Sequence, residues 1–152
     1  MKTKKSFRNA FGLGQIMATL LVVLPTLAFS VTFMIEYWSI MQIDYKLKLI
    51  ANMGSTFANS RTDLRNWSDG SGGNASDLNS FIASASSLCP GGKTLQFGPV
   101  SDGSMKGEID ITVQYTTPEG TYLGTKTLST NIKTYSYHDQ NMSVVLTCPT
   151  NQ

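Results

Sequence analysis

Very few side chains in this sequence have the types and spacing that chemistry needs. Its 152 residues include one histidine, His138, and two cysteines, Cys89 and Cys148. A metal centre needs several imidazole, thiolate or carboxylate groups at short, fixed spacings. No such grouping occurs, so neither a metal nor another cofactor is expected. His138 opens the run His138-Asp139-Gln140-Asn141, whose residues favour turns, and reads as a surface turn residue. Glu108 and Asp110 would share one face of a strand. Ile109, Ile111, Val113 and Tyr115 alternate with them, which assigns the carboxylate face to water rather than to an acid–base site. Cys89-Pro90-Gly91-Gly92-Lys93 superficially matches a phosphate loop. It lacks the GxxxxGK(S/T) spacing and follows a helical pattern instead of a strand, so it reads as a turn. Asn66, Asn74 and Asn141 each begin an Asn-x-Ser triplet, the glycosylation acceptor pattern. These triplets matter only in a source that glycosylates exported proteins. The expectation is a protein without enzymatic activity.

The elements that hold these residues begin with an uncharged apolar run, Ile16 to Ile35. A helix of about 20 residues, rising ~1.5 Å each, spans a hydrocarbon core of ~30 Å. Lys2, Lys4, Lys5 and Arg8 precede the run and Glu36 follows it. That asymmetry predicts a cytoplasmic N-terminus and an exported remainder. Tyr37 and Trp38 stand where interfacial aromatics anchor a span. Pro25 lies inside the run, and a kink is expected near Leu21 to Pro25.

The helical pattern continues past Glu36. Ile40, Ile43, Leu47, Ile50 and Phe57 recur at spacings of three, four and seven, with Gly54 between the last two. They form an apolar stripe that needs a partner surface. One helix is therefore expected from about Gln15 to about Asn59, after a basic leader over 1–14. Residues 60–75 contain Asn66 to Asn74, a glycine-rich linker. A domain over 76–152 follows. Ser76 or Asp77 is placed to cap a short helix ending near Leu88, with Leu78, Phe81, Ile82 and Ala85 on one face. Strands are expected near Leu95 to Val100, over the Glu108 to Tyr115 alternation, within Tyr122 to Tyr137, and through Val144, Leu146 and Cys148. Thr117-Pro118-Glu119-Gly120 provides a turn. The simplest topology is an antiparallel meander with the long helix on one face. The fold class is α+β.

The net charge of +2 resides largely in the N-terminal tail. From Ser55 onward the chain is close to neutral, so no nucleic-acid surface is expected. The tail suits topology and anionic lipid. An even cysteine count in an exported domain favours a Cys89–Cys148 disulfide, the alternative being two buried thiols.

The string Gly14-Gln15-Ile16-Met17-Ala18-Thr19-Leu20-Leu21-Val22-Val23-Leu24-Pro25, after a basic leader and followed by Glu36-Tyr37, resembles the N-terminal segment of TadE-like minor pseudopilins of tight-adherence (Flp-type) pili. The resemblance covers roughly residues 5 to 60. It implies a prepilin peptidase cut between Gly14 and Gln15 on the cytoplasmic face, with the helix retained as anchor and packing element. That family usually carries glutamate at the fifth position after the glycine, where this chain has Thr19. Such a carboxylate is thought to pair with a neighbouring subunit's N-terminal amine. Its absence argues against a major pilin and leaves a minor subunit, a priming component or an unprocessed membrane protein.

The resulting expectation is a pilin-like structural subunit of a pilus or secretion filament, or of its assembly complex. Its expected partners are the membrane, other pilin or pilus-assembly subunits and a prepilin peptidase. Its expected location is the inner membrane, with the C-terminal domain exported and available to an extracellular pilus. Gly14 and Ala18 allow close helix approach, and Ile40, Ile43, Leu47 and Ile50 are the packing stripe. A rival reading uses Ala28-Phe29-Ser30, a small-x-small site for ordinary signal peptidase. It gives an exported binding domain, either released or held by a single anchor.

Overall fold

Leu, Ala, Met and the unbranched polar residues that fill the first third of the chain favour a helix, and a long one forms. The computed structural model describes residues 4–59, 75–101, 105, 107–120, 122–135 and 142–150. The chain divides into two compact units, Met1–Trp38 and Ser39–Gln152. Helix α1 (Lys4–Asn59) supplies all the described structure of the first unit. It begins at Lys4, within the stretch read from sequence as a leader preceding the helix. Gly12 and Gly14 each disfavour a helix by ~1 kcal/mol relative to alanine. That is too little to end a helix already propagating on both sides. The helix is uninterrupted at Pro25. The missing proline N–H frees the Leu21 carbonyl, and the Thr26 hydroxyl donates to the neighbouring carbonyls of Val22 and Val23 at 3.0 and 2.9 Å.

In the second unit, the end of α1 presents Leu47, Ile50, Ala51, Gly54 and Ala58 as one buried face. Helix α2 (Ala75–Ser86) adds Phe81 and Ala85 to the core, with Leu78 and Ile82 packed at its margin. Phe81 stacks on Phe57 with ring centroids 4.9 Å apart and meets Phe97 edge-on at 6.2 Å. These rings join both helices to the sheet. The side chains of Ser76 and Asp77, the proposed caps, lie outside the described residues, as do the linker from residue 60 to 74, His138 and the asparagines of the three Asn-x-Ser triplets.

The sheet has four strands, β1 (Gln96–Ser101), β2 (Glu108–Thr116), β3 (Thr127–Tyr135) and β4 (Met142–Cys148), in the order β1-β4-β2-β3. β2 and β3 are an antiparallel pair, as are β1 and β4, but β4 runs parallel to β2. The sheet is therefore mixed, and the expected antiparallel meander is corrected, while the α+β class stands. Burial explains the order. Met142, Val144, Leu146 and Cys148 are all buried, so β4 belongs in the centre. β3 alternates exposed polar residues with partly buried ones, which suits an edge. β1 contains Pro99, which the other edge tolerates. A Cβ at Gly98 would stand 2.8 Å from the Val145 carbonyl oxygen, so the β1 irregularity between Phe97 and Val100 depends on glycine.

The core face of the sheet is set by register. Ile111 lies between Val144 and Ile132, Val113 between Leu146 and Thr130, and Tyr115 between Cys148 and Leu128. The helix end covers this face, as expected from its stripe. Asn59 Nδ2 donates to Thr134 Oγ1 at 2.6 Å, tying the last turn of α1 to the edge strand.

Candidate membrane and assembly segment

The segment of α1 from Gly14 to Trp38 is built differently from the rest of the molecule. Its large apolar side chains, including Ile16, Leu21, Val22, Leu24, Met34 and Ile35, are exposed. Among the described residues this is the one helix long and apolar enough to cross a membrane. Hydrocarbon cannot hydrogen-bond, so a hydroxyl placed there must find its partner within the protein. Between Gln15 and Ile35 the hydroxyl residues are Thr19, Thr26, Ser30 and Thr32. Each donates to a carbonyl one turn back: Thr19 to Gln15 at 2.7 Å, Thr26 to Val22 at 3.0 Å, Ser30 to Thr26 at 2.8 Å and Thr32 to Ala28 at 2.9 Å. The polar atoms that composition alone counts against a span are thus satisfied locally. Phe29 and Phe33 stack along the same helix, ring centroids 6.3 Å apart. Tyr37 and Trp38, the candidate interfacial anchors, are exposed one turn beyond.

Gly14 and Gln15, the candidate processing residues, lie within the helix and are exposed. A Cβ built at Gly14 meets nothing within 4 Å. Neither backbone conformation nor close packing within the described chain requires glycine there. Ala28, Phe29 and Ser30, the rival cleavage site, are also helical and exposed.

The packing stripe separates into two grades. Leu47 and Ile50 are fully buried, while Ile40 and Ile43 are only partly covered. The reason is position, since the sheet face lies under the last three turns of α1. A Cβ at Gly54 would sit 3.4 Å from Ile111 Cδ1 and Cγ2 and 3.7 Å from Leu146 Cδ1. On the helix surface away from the stripe, Lys48 Nζ lies 2.7 Å from Asp44 Oδ2.

Cys89 and Cys148 form the disulfide, with Cα atoms 5.5 Å apart across a sequence separation of 59. Leu88 and Cys89 extend α2 through N–H bonds to the carbonyls of Ala85 and Ser86. Pro90–Gly92 then turn the chain, Gly91 and Gly92 adopting positive φ. This is a turn in a structural role, with Leu95 N–H donating to Ser86 Oγ at 2.8 Å to close it.

One sequence expectation fails at the carboxylates. Glu108 does not face water: it is buried at the start of β2, with Lys133 Nζ 2.5 Å from its Oε1. No other donor among the described residues reaches that oxygen. The Glu108 carboxylate, through hydrogen bonding and charge, raises the Lys133 pKa above its ordinary 10.5. Asp110 is the direct cross-strand partner of Lys133, so the Glu108 contact is diagonal. The available signal was Lys133 itself, a lone cation in a Thr-rich strand, once the hairpin register is known. Asp110 stays half-exposed and accepts from Asn131 Nδ2, which also donates to Thr112 Oγ1 at 2.9 Å. No cluster of metal-binding side chains occurs among the described residues.

No family model, curated protein or solved structure matches this chain.

Proposed function

We propose that the chain is a structural, non-enzymatic subunit of a pilus or secretion filament, or of the membrane complex that assembles it. It would be anchored by α1, with residues 39–152 on the exported side. The observation that carries this reading is the contrast along α1. One stretch exposes apolar side chains and satisfies its own hydroxyls, and the next docks on a disulfide-bonded sheet. A soluble protein gains nothing from the first stretch, whereas a bilayer or a bundle of like helices covers it. The disulfide supports an oxidising destination for the domain.

Gly14 supports processing. Glycine in a helix interior is unfavourable, and nothing among the described residues requires it at this position. A peptidase that accepts only a very small side chain before the cut gives it a reason, and two glycines at Gly12 and Gly14 make local unwinding easier. Thr19 in place of glutamate supports a minor role over a major one. N-terminal sequencing of the mature protein, together with intact mass, tests the reading. A start at Gln15 is expected. A start at Val31 sinks it in favour of an exported domain released by signal peptidase, and a start at Met1 reduces it to an unprocessed anchor.

A further inference from the structure

Cutting after Gly14 would leave glutamine as the first residue of the mature chain, and the surroundings of that residue decide what its new amine becomes. An α-ammonium on Gln15 would sit at the head of a helix, where the backbone dipole is already positive. The leader's basic residues would be gone. No acidic residue lies between Gln15 and Ile35, and Glu36 is about 32 Å further along the axis at ~1.5 Å per residue. The polar side chain one turn away is Thr19, and its hydroxyl already donates to the Gln15 carbonyl at 2.7 Å. Within this helix the ammonium would have no counterion, and the adjoining residues are built for an apolar medium that penalises unpaired charge.

We infer that the mature N-terminus is a modification site, at which Gln15 is converted to pyroglutamate; the inference rests on the proposed cut after Gly14. The α-amine nitrogen attacks Cδ of its own side-chain amide. An N–Cδ bond forms, the Cδ–Nε2 bond breaks, and the nitrogen leaves as ammonia, taking up the proton that the amine loses. No oxidant, reductant or further reactant is needed. The product is a neutral five-membered lactam. Like proline, this ring is tolerated at the first position of a helix, where the N–H has no intrahelical acceptor. Gln15 is exposed, so no side chain within the described chain obstructs ring closure. The Thr19 hydroxyl remains on the Gln15 carbonyl, and a neutral end removes the need for a carboxylate at position 19.

Membrane-extracted, full-length mature protein tests this by N-terminal peptide mass and amine labelling, beside a Gln15→Ala variant. The expected wild-type peptide starts at Gln15, is lighter than the unmodified peptide by one ammonia, and refuses the amine label. The Gln15→Ala peptide should be cut at the same bond and label fully. A wild-type peptide that starts at Gln15 with a free or otherwise substituted amine overturns the inference and leaves the cleavage reading intact. A start at Met1 or Val31 overturns the cleavage reading, and the inference with it.

Discussion

Gly54 on α1 and Ile111 on β2 meet so closely that a single added carbon at position 54 would stand 3.4 Å from two atoms of the isoleucine. The separation fits one methyl group and nothing larger. Alanine also propagates a helix better than glycine by ~1 kcal/mol. Gly54→Ala should therefore leave stability unchanged or raise it slightly. Gly54→Leu should lift the helix from the sheet and destabilise by about 1–3 kcal/mol, as overpacked cores do. Thermal unfolding of the two variants checks the size threshold. Equal loss in both would show that the helix lies closer to the sheet than described.

The grading of the helix stripe makes a second test. Leu47→Ala and Ile50→Ala should each lose roughly 2–5 kcal/mol, because both side chains are fully buried. Ile40→Ala should lose much less, its side chain being only partly covered. Denaturant titration of a fragment from Ser39 to Gln152 is a suitable background, since every buried side chain among the described residues lies at or beyond Leu47. That fragment should unfold cooperatively. One starting at Ser55 should aggregate or melt early, and a soluble, cooperative Ser55 fragment would show that α1 is only a tether.

Breaking the disulfide should weaken the domain by about 4 kcal/mol in the chain-entropy model, given the separation of 59 residues. Cys89→Ser, or reduction of the native protein, is expected to lower the melting temperature. Non-reducing peptide mass spectrometry should show Cys89 and Cys148 joined. Full labelling of both thiols in the native protein would contradict the bond.

The Glu108–Lys133 pair gives an alkaline pH dependence. The folded Lys133 pKa lies above the ordinary 10.5 of the unfolded chain. Its contribution is therefore complete below 10.5 and is lost as pH rises through the folded value. The stability difference between the native protein and Lys133→Met should be constant at neutral pH and shrink above 10.5. Lys133→Met should itself destabilise, since it leaves a buried carboxylate unpaired, and adding Glu108→Gln should restore part of the loss. A difference that does not vary with pH would show that the pair contributes nothing.

Processing supplies the last prediction. Gly14→Ala strengthens the helix locally and enlarges the residue before the proposed cut, so it should slow maturation. Gly14→Leu should block it. The ratio of precursor to mature mass in membrane fractions measures both. Unchanged processing of Gly14→Leu would remove the role assigned to this glycine.

Composition and local pattern determined much of this protein. An uncharged run from Ile16 to Ile35 can only be a segment that avoids water, and the recurrence of Leu47 and Ile50 fixes which face of the following helix is buried. The strict alternation around Ile111 makes β2 a half-buried strand, and an even count of two cysteines points to one bond. Each of these follows from spacing along the chain. Strand order does not, because hydrogen-bonded partners are chosen by burial across the whole sheet. Only the tertiary structure puts β4 between β1 and β2, where its four buried side chains are covered on both flanks and Cys148 comes within reach of Cys89. The fate of Glu108 is decided the same way. Alternation assigns it to water, but its place at the end of the sheet, diagonal to Lys133, buries it, because a carboxylate with an adjacent ammonium can forgo solvent and one without cannot.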